Sequence, residues 1–292
     1  MQPGPMSDRE RRAVRSTYRS LRLAVVVLPV LLVTAIVSEA VRAGCWLDSL
    51  SAYYWTGAHD AFVGALCAIG AVLVVYTGAD DVEDALLDVA GILALVVALT
   101  PTEPGPGCGG TGAPEVPVVL ADPRSGLTAL VVAGALAWTV RAVVAVRGIP
   151  ARRPRVTDVA GGVLLLVLAV ALLAAPGTVV ARAHGPAAVL LLVAVVGVML
   201  RHAAVARAAS ARWAAAYAAL GATTLVTLAV VVALHVTVPS WTASVLVLET
   251  ALVALFAGFW VLQTVEMWGV DVVRPRPDVP RGRAGAHGVR AP

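Results

Sequence analysis

Val163-Leu164-Leu165-Leu166-Val167-Leu168-Ala169-Val170-Ala171-Leu172-Leu173 is an unbroken apolar run with no alternation. A strand of a membrane barrel needs apolar and polar residues in turn, so this run does not fit one. Within lipid, every backbone N–H and C=O must find a partner inside its own segment, which makes such a run a helix. Valine favours strands in water, but that weak preference yields to the bilayer constraint.

Working outward, a helix needs about 20 apolar residues to cross the hydrocarbon core. Candidate spans fall at 22–42, 60–78, 82–100, 126–146, 157–175, 185–201, 213–236 and 243–266. The expected fold class is therefore all-α, a polytopic transmembrane helix bundle of about eight spans. Hydrophobic residues make up 59% of the chain and charged ones 14%, too apolar for an ordinary soluble domain.

The charges between the spans set an orientation. All 22 basic side chains are arginine. With the N-terminus inside, the N-terminal segment and the 147–155, 201–212 and 274–290 stretches hold all but four of them. The opposite side keeps only Arg42, Arg124 and Arg182, and Arg141 lies within a span. This bias places both termini in the cytoplasm. The net charge of +4 is then read as topology and attraction to anionic headgroups. Nucleic acid is not an expected partner, because the arginines are scattered and no basic groove with stacking aromatics is visible. The lipid bilayer is.

Three regions follow. Residues 1–20 are expected to be a disordered basic cytoplasmic tail, 21–268 the helix bundle, and 269–292 a second disordered basic tail. Arginines before an apolar run from Leu23 to Val37, then Ser38-Glu39-Ala40, also resemble a cleavable signal peptide. Glu39 beside the would-be cut favours a first helix that is retained. Cys67 falls mid-helix as a packing residue, whereas Cys45 and Cys108 fall in outer loops, where a disulfide between them is expected.

Polar groups inside the spans call for a partner or a role, since a buried charge costs at least ~2.5 kcal/mol at the helix centre. Asp81, Asp84 and Asp88 share one helical face near the inner side. Asp88 and Arg141 sit at matching depth in adjacent spans, which predicts a structural ion pair; a proton relay is the functional alternative. Near the outer side lie Glu39, His59, Asp60, His184, His235 and Glu249. Histidines and carboxylates together bind zinc or move protons. No H-E-x-x-H and no paired histidines on one turn occur, so no metal ligand and no cofactor is assigned. Asp60 opens a helix, where an N-cap role competes with ligand binding. Gly64 and Ala68 form a small-x-x-x-small pair for close helix approach. Tyr53, Tyr54 and Trp55 suit the headgroup belt.

The run S-L-S-A-Y-Y-W-T-G-A-H-D-A-F-V-G-A-L-C-A-I-G at 49–70 resembles the signature of an uncharacterised family of bacterial integral membrane proteins. A helix ending in A-L-T-P-T at 98–102 and a last helix with Glu249 followed by Phe256, Phe259 and Trp260 extend that resemblance. It implies a multi-pass protein of a bacterial plasma membrane. A more distant likeness is to the alkaline-ceramidase-like membrane hydrolases, which use a Ser, an Asp and three His around zinc. Ser51, Asp60 and His235 would be the matching residues, but the last helix has no H-x-x-x-H pair.

The leading expectation is a non-enzymatic binding or transport-like protein for a small or lipidic ligand, held in an outward-facing pocket. Asp60, His235 and Glu249 would line it, with Tyr53, Tyr54, Glu39 and His59 nearby. A membrane-embedded lipid hydrolase is the second reading, and a partner-dependent scaffold or sensor the third.

Overall fold

The computed structural model describes residues 7–102, 122–146, 156–238 and 240–268. Among them all regular structure is helical: α1 (Asp8–Ala43), a short 3-10 helix (Ser51–Trp55), α2 (His59–Val75), α3 (Asp81–Leu99), α4 (Pro123–Val146), α5 (Val156–Ala174), α6 (Pro176–Arg182), α7 (His184–Ala206), α8 (Ala211–Thr237) and α9 (Ser244–Glu266). Each of the eight expected spans coincides with one helix. Five of these, α1, α4, α7, α8 and α9, are long and apolar enough to cross a membrane. The count reaches six if α5 and α6, bent by 119° at their junction, form one broken span. The bend has a cause: Pro176 opens α6 and cannot continue the hydrogen-bond ladder of α5. α2 is shorter, and α3 carries Asp81, Glu83, Asp84 and Asp88 in its first turns.

The N-terminal expectation needs correction. Residues 8–20 are not a disordered tail but the start of α1. Ser7 and Glu10 form a reciprocal capping box, the Ser7 N–H donating to Glu10 Oε2 at 2.7 Å and the Glu10 N–H to Ser7 Oγ at 3.3 Å. Two otherwise unpaired donors are satisfied, and the arginines that follow are good helix formers. Gly44 ends the helix at φ 73°, in the left-handed region that glycine adopts without strain.

Helix contacts close into a ring in the order α1–α2–α3–α7–α8–α9 and back to α1. α5 packs on α3 and α4 packs on α5, outside that ring. α3 is the most enclosed element, with Ala90, Ala94 and Ala98 almost fully buried. The small-residue contact also differs from expectation. A methyl added at Gly64 would meet nothing within 4 Å, whereas Gly70 lies directly against α3. Many outward-facing side chains of α4 and α5 are exposed and apolar, Leu136, Trp138, Leu166 and Leu173 among them, which is the surface lipid would cover.

Candidate functional site

The 3-10 helix closes one end of the ring. Its first backbone N–H groups have no partner within so short a helix, and Glu249 from α9 supplies one. Glu249 Oε2 accepts from the N–H of Leu50 at 2.6 Å and of Ser51 at 3.4 Å, while Oε1 accepts from Ser51 Oγ at 2.9 Å. Ser51 Oγ also lies 3.2 Å from His184 Nε2, and His184 Nδ1 bonds the Thr100 carbonyl at 2.7 Å. Ser51, Thr100 and His184 are buried. A Glu249–Ser51–His184 chain therefore joins α9, the 3-10 helix and α7, and the end of α3 anchors it.

Tyr53 and Tyr54, both buried, hold that cap in place. The Tyr53 hydroxyl accepts from the Leu47 N–H at 3.3 Å, and the Tyr54 ring meets Trp55, His59 and Phe62 edge to face. Burial pushes both phenols above their ordinary pKa. Trp55 Nε1 donates to the Thr102 carbonyl at 2.9 Å, tying the cap to the residues after α3.

Beneath the cap lies a partly open cavity of about 180 Å³ between the helices of the ring. Its walls are apolar, Leu32, Phe62, Ile69, Val97, Leu191 and Phe256 among them, and its polar lining residues are Ser51 and Glu249. Leu73, Val195 and Phe256 separate it from a much smaller void that reaches Trp260.

A second buried polar layer closes the other end, and every helix of the ring contributes to it. Arg22 of α1, 1% exposed, donates from Nε to the hydroxyl of Tyr76, the residue that ends α2, at 2.8 Å. The Tyr76 hydroxyl donates to Gln263 Oε1 on α9 at 3.3 Å. His202 of α7 lies between Glu83 of α3, 2.9 Å from Nδ1, and Glu266 of α9, 3.6 Å from Nε2. Tyr217 of α8 donates to Glu266 as well. Arg22, Glu83 and His202 are buried in this layer and Glu266 lies at its edge, each with a polar partner, as a low-dielectric interior requires.

The expected outer residues part company. Glu249 lines the cavity. Asp60 does not: it is exposed in the first turn of α2, where Ala58, not Asp60, is the N-cap. Its charge there suits the helix dipole. His235 is exposed too, its Nδ1 2.6 Å from Ser244 Oγ, fastening the end of α8 to the start of α9. The pocket of Asp60, His235 and Glu249 is thus not formed. Glu39 pairs with Arg42 one turn on and packs against Gly57. His59 Nδ1 bonds the Tyr54 carbonyl at 2.7 Å. Asp88 is half-buried on α3 and Arg141 exposed on α4. Cys67 is a free thiol, and the expected Cys45–Cys108 bridge lies outside the described residues because Cys108 does.

Sequence reasoning missed the partnership of Ser51, His184 and Glu249, and all of the second layer. Ser51 stands 133 residues from His184 and 198 from Glu249, so no spacing rule joins them. Glu83 and His202 stand 119 apart. Among the described residues no three His, Cys, Asp or Glu side chains group to hold a metal ion. No protein-family model, no curated protein and no solved structure matches the chain.

Proposed function

We propose that this chain is a multi-pass protein of a bacterial plasma membrane that binds, and in doing so carries, a small amphipathic or lipidic ligand in the cavity of its helix ring. In this reading the chain crosses the bilayer about eight times with both termini in the cytoplasm, as the arginine distribution supports. The carrying observation is the cavity of about 180 Å³ with apolar walls and Ser51 and Glu249 at one end. Ligand sites have this make-up, a largely apolar lining with few polar groups that fix orientation. An apolar cavity of about 150 Å³ already holds a benzene ring. The two polar layers lie toward its opposite ends, with the apolar walls between them.

The test uses full-length protein in lipid nanodiscs and n-hexanol as probe. Wild type gains thermal stability with added hexanol, by mass action. Ala94→Leu, which fills part of the cavity, loses that gain. Equal gains in both proteins would place the binding elsewhere and end this reading. Topology is checked by labelling single cysteines: a 148–156 loop accessible from outside the cell would overturn the orientation.

A second reading rests on one contact, Ser51 Oγ at 3.2 Å from His184 Nε2 with Nδ1 oriented by the Thr100 carbonyl. That is a nucleophile beside an oriented base, as lipid ester hydrolysis would need. Covalent labelling of Ser51 by a fluorophosphonate, abolished in His184→Ala, would support it; an unlabelled Ser51 in intact protein would reject it.

A further inference from the structure

We propose that the cavity takes an amphipathic amine, bound as its cation in exchange for one proton held between Glu249 and His184. This deepens the ligand-cavity reading and rests on it.

The hydrogens of the Glu249–Ser51–His184 chain can be counted. His184 Nδ1 faces the Thr100 carbonyl, an acceptor only, so that nitrogen carries a hydrogen. In neutral His184, Nε2 is then an acceptor. Ser51 Oγ sits between Nε2 at 3.2 Å and Glu249 Oε1 at 2.9 Å, and its hydroxyl has one hydrogen to give. Two hydrogen bonds need two hydrogens. The second belongs either to a protonated Glu249 or to an imidazolium at His184. In both arrangements the pair is neutral overall and stores one proton beyond the ionised-Glu, neutral-His state.

The surroundings do not alter that count. The Glu39–Arg42 pair ends α1, and Asp48 lies in the loop whose carbonyl accepts from the Leu246 N–H. Tyr53 and Tyr54 belong to the 3-10 helix, and α2 offers His59 and Asp60. His235 on α8 is fastened to Ser244. Arg182 ends α6, just before His184, and is exposed. None of these lines the cavity.

The polar end of the cavity is built to receive donors. Glu249 Oε2 already takes the Leu50 and Ser51 N–H groups, so no backbone donor there remains for a ligand. What remains is carboxylate and hydroxyl oxygen, with apolar walls for a short chain. A cation entering such a site brings a net charge into an apolar interior unless a charge leaves. The exchange balances. One proton departs, Glu249 becomes a carboxylate paired with the ammonium, Ser51 turns its hydroxyl to His184 Nε2, and the site stays neutral.

The experiment compares n-hexylammonium, n-hexanol and n-hexanoate on full-length protein in nanodiscs, between about pH 5 and 8, where a primary amine stays cationic. Hexylammonium is expected to bind with an affinity rising about tenfold per pH unit over the range where the pair keeps its proton. A weakly buffered pH indicator should read one proton released per cation bound. Glu249→Gln should lose hexylammonium while still binding hexanol, which also shows the variant folded. Hexanol binding with hexylammonium or hexanoate no different from each other would sink the amine proposal and leave the cavity reading intact. Hexylammonium binding without pH dependence or proton release would sink the exchange. If no probe binds, or Ala94→Leu binds all three as wild type does, the cavity reading itself falls and takes this one with it.

Discussion

Gly70 on α2 and Gly91 on α3 lie against each other's backbone. A methyl on Gly70 would come 2.7 Å from the Gly91 carbonyl oxygen, and one on Gly91 2.6 Å from the Gly70 carbonyl oxygen. The obstacle on each side is backbone, which cannot swing aside as a side chain tip can. The two helices are joined by the few residues from Tyr76 to Asp80, and this glycine contact lets them pack closely along one wall of the cavity. Gly70→Ala and Gly91→Ala should each cost about 1–3 kcal/mol of stability, the usual penalty of overpacking. Thermal unfolding in detergent would show it. Because both changes push apart the same two helices, the double variant should lose less than the two losses added. Strict additivity would mean the helices do not meet here.

The Glu83–His202 contact joins α3 to α7 at 2.9 Å, Glu83 with no exposed surface. Removing one member of a buried pair strands the other, at about 3–5 kcal/mol. His202→Ala and Glu83→Ala should therefore each lower the melting temperature steeply, and the double variant should recover part of the loss. Two independent, additive effects would show that the pair does not interact.

Asp80 caps α3, its Oδ1 accepting from the N–H groups of Val82 and Glu83 at 3.0 Å each, and it pairs with Arg201 of α7. Burial alone would raise its pKa, but the Arg201 guanidinium and these N–H groups outweigh it and hold the carboxyl below its ordinary value. A depressed folded value means the contribution is complete above the ordinary carboxylate pKa of about 3.9 and is lost as pH falls through the lower folded value. Stability of wild type should fall in acid by more than that of Asp80→Asn, which keeps a cap but has no charge to lose. The difference will be small, since both partners are partly open to solvent. Asp80→Ala, which removes the cap as well, should cost about 0.5–2 kcal/mol at neutral pH.

With both termini in the cytoplasm, as proposed, Cys45 and Cys108 share the outer side, and a disulfide between them is expected. Peptide mapping of the unreduced protein should recover a linked pair containing both, with Cys67 alkylated as a free thiol. Alkylation of all three cysteines without reduction would dismiss the bridge.

An ion pair of Asp88 with Arg141 remains the expected tie between α3 and α4. In a cycle of Asp88→Ala, Arg141→Ala and the double change, the two single losses should not add. Additive losses would separate the two residues.

Composition and period along the chain were enough to mark which segments are helices and how the charges partition between them. Runs such as 163–173 admit no other backbone solution in an apolar medium, and that is a local matter of composition and period. The sequence also marked Glu249 as a polar group that needed a partner. It misjudged the first tail, because the capping box of Ser7 and Glu10 outweighs a charged composition. Which polar groups meet depends on how the helices pack. Asp60 and His235 looked equivalent to Glu249 by depth, yet helix rotation turns them outward and puts Ser51 and His184 in their place. In helices this uniformly apolar, sequence periodicity carries little information about rotation. The facing is set by close contacts such as Gly70 with Gly91, and by buried hydrogen bonds between helices far apart in the chain.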